Sequence, residues 1–113
     1  MEESKVEKLT RDYQSAQEKL QSLALQRAQF QQQKNELTEA QKRVKSAEGK
    51  IYYQVGGAIV ETKKDDALKD INEKLESVDM RLTIINKQYG EASSQEQKLR
   101  EELRKLLEPN SGA

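Results

Sequence analysis

Acidic side chains in adjacent pairs are the first candidates for chemistry in this sequence, because two carboxylates held together can act as general acid and general base. Asp65–Asp66 and Glu101–Glu102 are examples of such pairs. Neighbours in sequence project from different parts of a helix surface, so neither pair is expected to enclose a substrate. The chain has no histidine, the commonest general base and metal ligand, and no cysteine. Its five glycines lack the spacing of a phosphate-binding loop. We therefore expect no enzyme, no catalytic residue, no metal site and no cofactor.

The composition limits which class of protein this can be. The chain has 113 residues, of which 34% are apolar and 35% are charged, so a large hydrophobic core is excluded. The 20 basic and 20 acidic residues cancel, which argues against nucleic acid or an anionic membrane as the main partner. Neither a signal peptide nor a transmembrane segment is visible, and we expect a soluble cytoplasmic protein.

Two apolar stripes with helical spacing dominate the chain and indicate two long helices. The first consists of Val6, Leu9, Tyr13, Ala16, Leu20, Leu23, Phe30, Leu37 and Val44. The second consists of Leu68, Ile71, Leu75, Val78, Leu82, Ile85, Tyr89, Ala92, Leu99, Leu103 and Leu106. A heptad repeat held over about five heptads is typical of a coiled coil. The stripes are equally long, so helices over residues 4–48 and 63–108 are expected to fold back antiparallel, leaving a tail at 109–113.

Polar residues interrupt both stripes. Arg27, Lys34 and Gln41 lie on the seam of the first helix, where such residues either fix the register or extend their charge into water. Asp79 is the expected ionic partner of Lys34. Glu96 breaks the second stripe and predicts a local weak point.

The segment between the helices differs in composition from both of them. Residues 50–62 are rich in β-branched and aromatic side chains, and Gly49 before them suits a left-handed helix stop. We expect two strands joined by Gly56-Gly57, since a two-residue loop needs positive φ. This loop pairs Val55 with Ala58, Tyr53 with Val60 and Ile51 with Thr62. The following Thr62-Lys63-Lys64-Asp65 resembles a capping box for the second helix.

Such a small hairpin is marginal alone and a thin helix pair cannot bury it. Exposed strand edges of Val, Ile and Tyr are prone to pair with another chain, so the hairpin is expected to be an assembly surface. The alternative is that it folds onto the helix ends and caps them.

A long helix, a Tyr-x-x-Val-Gly-Gly-x-x-Val-Glu hairpin at Tyr52–Glu61 and a second long helix together resemble β-type subunits of prefoldin. The resemblance covers essentially the whole chain as one domain, 1–113. The hairpin is most similar to the eukaryotic subunit 2 pattern, and the regular second helix to archaeal β or eukaryotic subunit 6. The implied fold is mostly α, an antiparallel two-helix coiled-coil hairpin whose central short β-hairpin assembles into an intersubunit β-barrel.

The resemblance also implies a function. Prefoldin is a heterohexamer of α-type and β-type subunits that holds non-native polypeptides at its coiled-coil tips and delivers them to a group II chaperonin without nucleotide hydrolysis. The implied oligomerisation residues are Ile51, Tyr53, Val55, Gly56, Gly57, Ile59 and Val60. The implied client-binding tip consists of Val6, Leu9, Tyr13, Leu99, Leu103, Leu106 and Leu107. A coiled-coil scaffold or tethering subunit without client binding is the alternative that the heptads leave open.

Overall fold

The computed structural model describes residues 4–108 as two long helices and a small antiparallel sheet. Helix α1 spans Lys5–Ser46, strands β1 and β2 span Ile51–Val55 and Ala58–Thr62, and helix α2 spans Lys64–Leu107. These elements confirm the predicted fold, mostly helical with a central β-hairpin. The predicted tail at 109–113 lies outside the described residues. Neither α1 nor α2 has a stretch apolar enough to cross a membrane.

Helix α1 begins with a capping arrangement that the sequence analysis missed. The backbone N–H of Glu7 donates to Ser4 Oγ at 3.1 Å, and the N–H of Lys8 donates to the Ser4 carbonyl at 3.1 Å. Ser4 is therefore the N-cap, and Glu7 three residues later completes the spacing of a capping box.

The end of α1 confirms a left-handed glycine, although the helix stops earlier than that glycine. Gly49 has a φ of 97°, whereas the last helical residue is Ser46. The Ser46 hydroxyl donates back to the Lys42 carbonyl at 3.1 Å, and Lys64 Nζ donates to the Ala47 carbonyl at 3.3 Å. The Ala47 carbonyl lies beyond the last helical residue, so the Lys64 ammonium supplies a hydrogen-bond partner for it.

The pairing of the two strands matches the sequence prediction. Val55 is opposite Ala58, Tyr53 is opposite Val60, and the pairing continues to the base of the hairpin. Only the first turn glycine, Gly56, has a positive φ, at 59°. A glycine with positive φ at the first central position is the pattern of a type II′ turn, so Gly56 alone supplies the positive φ that the sequence predicts for this loop.

The start of α2 differs from the predicted capping box. Thr62 is the last residue of β2, and its hydroxyl donates to the Lys63 carbonyl at 3.5 Å. That carbonyl accepts the first helical bond, from the N–H of Ala67 at 2.9 Å. Lys63 therefore takes the N-cap position, and the predicted box at Thr62–Asp65 was wrong. Asp65 and Asp66 lie in the first turn, where the helix dipole favours negative charge.

The chain divides into two compact units that each contain parts of both helices. The terminal unit comprises the described residues up to Arg27 and from Ile84 onward, and the central unit comprises Ala28–Thr83. The core of the terminal unit includes a buried cluster of Leu9, Leu99 and Leu103. In the central unit the buried apolar side chains are Val78 and Leu82. Its remaining apolar seam residues are only half-buried, namely Phe30, Leu37, Val44, Leu68, Ile71 and Leu75.

The hairpin turn gives a matched test of the backbone conformation. An added Cβ would meet no atom within 4 Å at either Gly56 or Gly57. Gly56→Ala should nevertheless destabilise the hairpin by about 1–2 kcal/mol, because a side chain disfavours positive φ. Strand amides should then exchange about tenfold faster in hydrogen-exchange mass spectrometry. Gly57→Ala is the control and should change exchange little, so equal effects of the two substitutions would contradict the assigned turn.

Candidate functional site

The β-hairpin exposes apolar side chains on both of its faces. One face carries Ile51, Tyr53, Val55 and Val60, and among these only Ile51 at the base is half-buried. Val60 is 39% exposed and Val55 is 54% exposed, so this face is open along most of its length. A surface of this kind in a two-stranded sheet is typical of an interaction site.

The opposite face of the hairpin carries two large apolar residues. Ile59 pairs with Gln54, so its side chain lies on the other face from Val60, and it is 75% exposed. Tyr52 shares that second face and is also exposed. The oligomerisation residues that the resemblance implies include Ile59 and omit Tyr52. Strand alternation places both residues on the face opposite Val60, and exposed apolar character was the signal that could have added Tyr52.

The outer edges of β1 and β2 are unpaired within residues 4–108, because the sheet has only these two strands. Each edge presents backbone N–H and C=O groups that can extend the sheet. The hairpin contacts its own helices mainly at its base, where a cavity of about 330 Å³ is lined by Ile51, Tyr52, Tyr53, Leu37, Val44 and Ile71 among others. The alternative, that the hairpin folds onto the helix ends and caps them, does not account for Val55, Ile59 and Val60, which residues 4–108 leave exposed.

The predicted client-binding residues separate into a buried group and an exposed pair. Leu9, Leu99 and Leu103 pack on each other, and Tyr13 packs against them. Val6 is half-buried. In contrast, Leu106 is 41% exposed and Leu107 is 62% exposed. The structure therefore brings the seam residues together as a core and leaves two leucines available for contact.

Glu96 lies buried among these apolar layers, with 8% exposure. Its carboxylate accepts a hydrogen bond from the Tyr13 hydroxyl, and Arg100 Nε lies 3.9 Å from its Oε1. Gln17 Nε2 donates to the Tyr13 oxygen at 3.1 Å. Burial raises the pKa of the Tyr13 phenol, and the hydrogen bond to Glu96 and the charge of that carboxylate raise it further. The polar break in the stripe is thus a hydrogen-bonded network rather than an unpaired charge.

Among the adjacent acidic residues, Glu101 has a defined contact, and that contact is structural. Arg104 donates to Glu101, and its Nη1 donates to Glu108 Oε2 at 3.0 Å. The hydrogen bond from Arg104 holds the pKa of Glu101 below its usual value. Glu101 is therefore an exposed, ionised partner of arginine rather than a proton donor. Residues 4–108 contain no group of acidic side chains that could hold a metal ion.

The three polar seam residues of α1 each have a partner on α2. In the terminal unit, the Arg27 guanidinium lies 4.5 Å from the centre of the Tyr89 ring. In the central unit, Lys34 Nζ lies 2.8 Å from Asp79 Oδ1, which confirms the predicted ionic partner. Also in the central unit, Gln41 Nε2 donates to Asn72 Oδ1 at 2.6 Å. The sequence left open whether these three residues fix the register or extend their polar groups into water. The structure gives each of them a defined contact with α2.

Comparisons with known proteins agree on one family. The model of a family described as "Prefoldin subunit" matches residues 7–110. The chain is 27% identical to the prefoldin subunit beta of Archaeoglobus fulgidus over 109 residues, which cover 95% of this chain and 94% of that protein. It is 34% identical to the prefoldin subunit beta of Thermococcus onnurineus over 82 residues, covering 68% and 71%. The crystal structure of the prefoldin beta subunit from Thermococcus strain KS-1 matches with a TM-score of 0.86 at 26% identity, covering 95% of this chain and 96% of that one.

The Tyr13–Glu96 bond predicts a specific dependence of stability on pH. Tyr13→Phe should lower the free energy of unfolding near neutral pH, because the buried carboxylate loses a donor. The folded pKa of Tyr13 is raised, so its stabilising effect is complete below the unfolded value of about 10 and is lost as the pH rises through the folded value. Urea denaturation from about pH 8 to about pH 11 should show that the difference in free energy of unfolding between the wild type and Tyr13→Phe shrinks as the pH rises.

The same titration in a Glu96→Leu background is the control for this prediction. Without the carboxylate, burial alone still raises the pKa of Tyr13, so the pH-dependent part of the Tyr13→Phe effect should become smaller. A gap that stays constant over the whole pH range in the wild-type background would contradict the assigned network.

Proposed function

This chain belongs to the prefoldin β-subunit family, and on that premise we propose that it is a β-type subunit of a heterohexameric, ATP-independent cochaperone. Members of this family are chaperone components that form hetero-oligomers. In the proposed assembly the β-hairpin joins those of α-type and other β-type subunits in a β-barrel. The terminal unit binds non-native polypeptides, which the complex transfers to a group II chaperonin in the cytoplasm.

The uncovered hairpin is the observation that carries this proposal. Tyr53, Val55 and Val60 form one open apolar face, Tyr52 and Ile59 form the other, and both strand edges lack a partner within the described chain. Strands contributed by neighbouring subunits would pair the edges and bury the first face together. The exposed second face fits a further subunit contact outside the same barrel.

Client binding is proposed for the end of α2 and the apolar layers beside it. Leu106 and Leu107 are exposed, and they follow Leu103 of the buried Leu9–Leu99–Leu103 cluster closely in sequence. Two exposed leucines bind weakly and without sequence preference, which suits the capture of many unfolded segments. Several subunits acting together would raise the overall affinity through effective concentration.

Assembly should depend on the first face of the hairpin. Val60→Asp should prevent incorporation into the hexamer, because a carboxylate buried in a barrel without a partner costs several kcal/mol. Light scattering after size-exclusion chromatography of the variant mixed with an α-type prefoldin subunit measures the loss. The control Gln54→Asp places the same charge on the opposite face, at a position that is already polar. It should form more hexamer than Val60→Asp does. Normal hexamer formation by Val60→Asp would rule out the barrel role of this face.

Client capture should depend on the exposed leucines rather than on any exposed apolar residue. The double variant Leu106→Ser, Leu107→Ser should assemble normally but bind clients about tenfold more weakly, because burying one leucine contributes about 1.5–3 kcal/mol. The readout is light scattering of a denaturant-unfolded enzyme diluted into buffer with the assembled complex. A matched control, Leu25→Ser with Ile84→Ser, removes two exposed apolar residues from other helix positions.

Each outcome of the client assay distinguishes the two functional candidates. If the leucine variant loses protection and the control keeps it, the client-binding role is supported. If the wild-type complex assembles but does not suppress aggregation, the chain is a coiled-coil scaffold or tethering subunit. If both double variants lose protection equally, the assignment to Leu106 and Leu107 is wrong.

A further inference from the structure

The polar contacts between α1 and α2 in the central unit have a shared geometry. Lys34 and Gln41 are one heptad apart on α1, and their partners Asp79 and Asn72 are one heptad apart on α2 in the reverse order. Both contacts therefore specify the same antiparallel register. From this geometry we infer that Lys34 and Gln41 select the partner of α1, so that the helix accepts α2 in this register and rejects the α1 helix of a second copy.

The energies of these contacts support selection rather than stabilisation. The Lys34 and Asp79 side chains are both substantially exposed, and exposed ion pairs contribute about 0.2–1 kcal/mol. The Gln41–Asn72 bond is likewise exposed. Leucine at either position would bury more apolar area, so these polar residues lower the stability that the seam could reach.

Apolar heptads alone do not identify a partner. Leu37 and Val44 of α1 could pack against an apolar stripe on another copy, because every heptad seam offers the same spacing. In a parallel pair of α1 helices, Lys34 would face Lys34 of the second copy, and two like charges would meet at the seam. Asp79 and Asn72 would be absent from that pair. The contacts therefore favour the hairpin in both ways, by an attractive bond within it and by repulsion in the self-paired form.

This inference does not depend on the proposed chaperone function. It concerns how a chain with long heptad stripes remains a single helical hairpin, whatever the hairpin then assembles with. The half-buried apolar side chains of the central unit make the selection necessary, because Leu37 and Val44 retain exposed area that a second α1 helix could cover.

Disulfide cross-linking of the full chain tests the inference directly, because the sequence contains no cysteine. A single Leu37→Cys substitution places a thiol on the α1 seam, where two copies can form a disulfide when their α1 helices pair. The test compares this variant with and without Lys34→Leu and Gln41→Leu, in a Val60→Asp background that reduces association through the hairpin. The variant with Lys34→Leu and Gln41→Leu, here called the leucine seam, should give about tenfold more cross-linked dimer than the polar seam, equivalent to about 1.4 kcal/mol. The urea concentration at the midpoint of unfolding should be equal to or higher than that of the polar seam.

Two controls separate partner selection from added hydrophobicity and from lost charge. Gln29→Leu with Lys42→Leu removes one amide and one positive charge from exposed positions of α1 and should not increase cross-linking. Lys34→Asp with Asp79→Lys restores the ion pair in reverse and should behave like the wild-type seam. If the double leucine variant lost its helical circular dichroism, the single substitution Lys34→Leu would provide the same test.

Three results would overturn the inference. The first is equal cross-linking with the polar seam and the leucine seam. The second is that Gln29→Leu with Lys42→Leu increases cross-linking as much as the leucine substitutions at 34 and 41 do. The third is that Lys34→Asp with Asp79→Lys gives much more cross-linked dimer than the wild-type seam. Failure of Val60→Asp to block hairpin association would count against the proposed assembly alone, since the disulfide at position 37 reports pairing of α1 helices.

Discussion

Residues 4–108 leave a two-stranded sheet with apolar side chains on both faces largely uncovered, and the proposed assembly of the molecule depends on this surface. Only the base of the hairpin is sheltered, by the cavity that Ile51 shares with residues of both helices. Beyond the base, Val60 and Ile59 remain in water on opposite faces. Burial of these side chains is favourable and residues 4–108 do not supply it, so we propose that other chains do, as expected for a member of a hetero-oligomeric family.

The helices combine two kinds of contact that serve different purposes. Apolar layers such as Leu9, Leu99 and Leu103 supply stability through burial, and they repeat so regularly that they do not identify a unique partner. Polar contacts such as Lys34–Asp79 contribute little energy but occur at single places in the sequence. Glu96 differs from both kinds, because it is a polar residue within the apolar seam whose buried carboxylate is satisfied by Tyr13, and this bond is expected to contribute to stability.

The sequence predicted those features that follow from periodicity and chain connection. Pairing of Tyr53 with Val60 follows once the two-residue loop is placed, and the Lys34–Asp79 contact follows once the antiparallel register is placed. Side-chain conformation was harder to predict, since nothing in the heptad pattern shows that Tyr13 reaches Glu96. The helix caps were also ambiguous, because Ser4 and Thr62 each precede an acidic residue by three positions. Ser4 caps α1, whereas Thr62 is the last residue of β2 and does not cap α2.

Native mass spectrometry of the wild-type chain, alone and mixed with an α-type prefoldin subunit, tests most directly whether the hairpin is completed by other subunits. Our account predicts a discrete six-subunit particle that contains two partner chains and four copies of this chain. A chain that remains monomeric, or that forms only a two-chain coiled coil with every α-type partner tested, would contradict it.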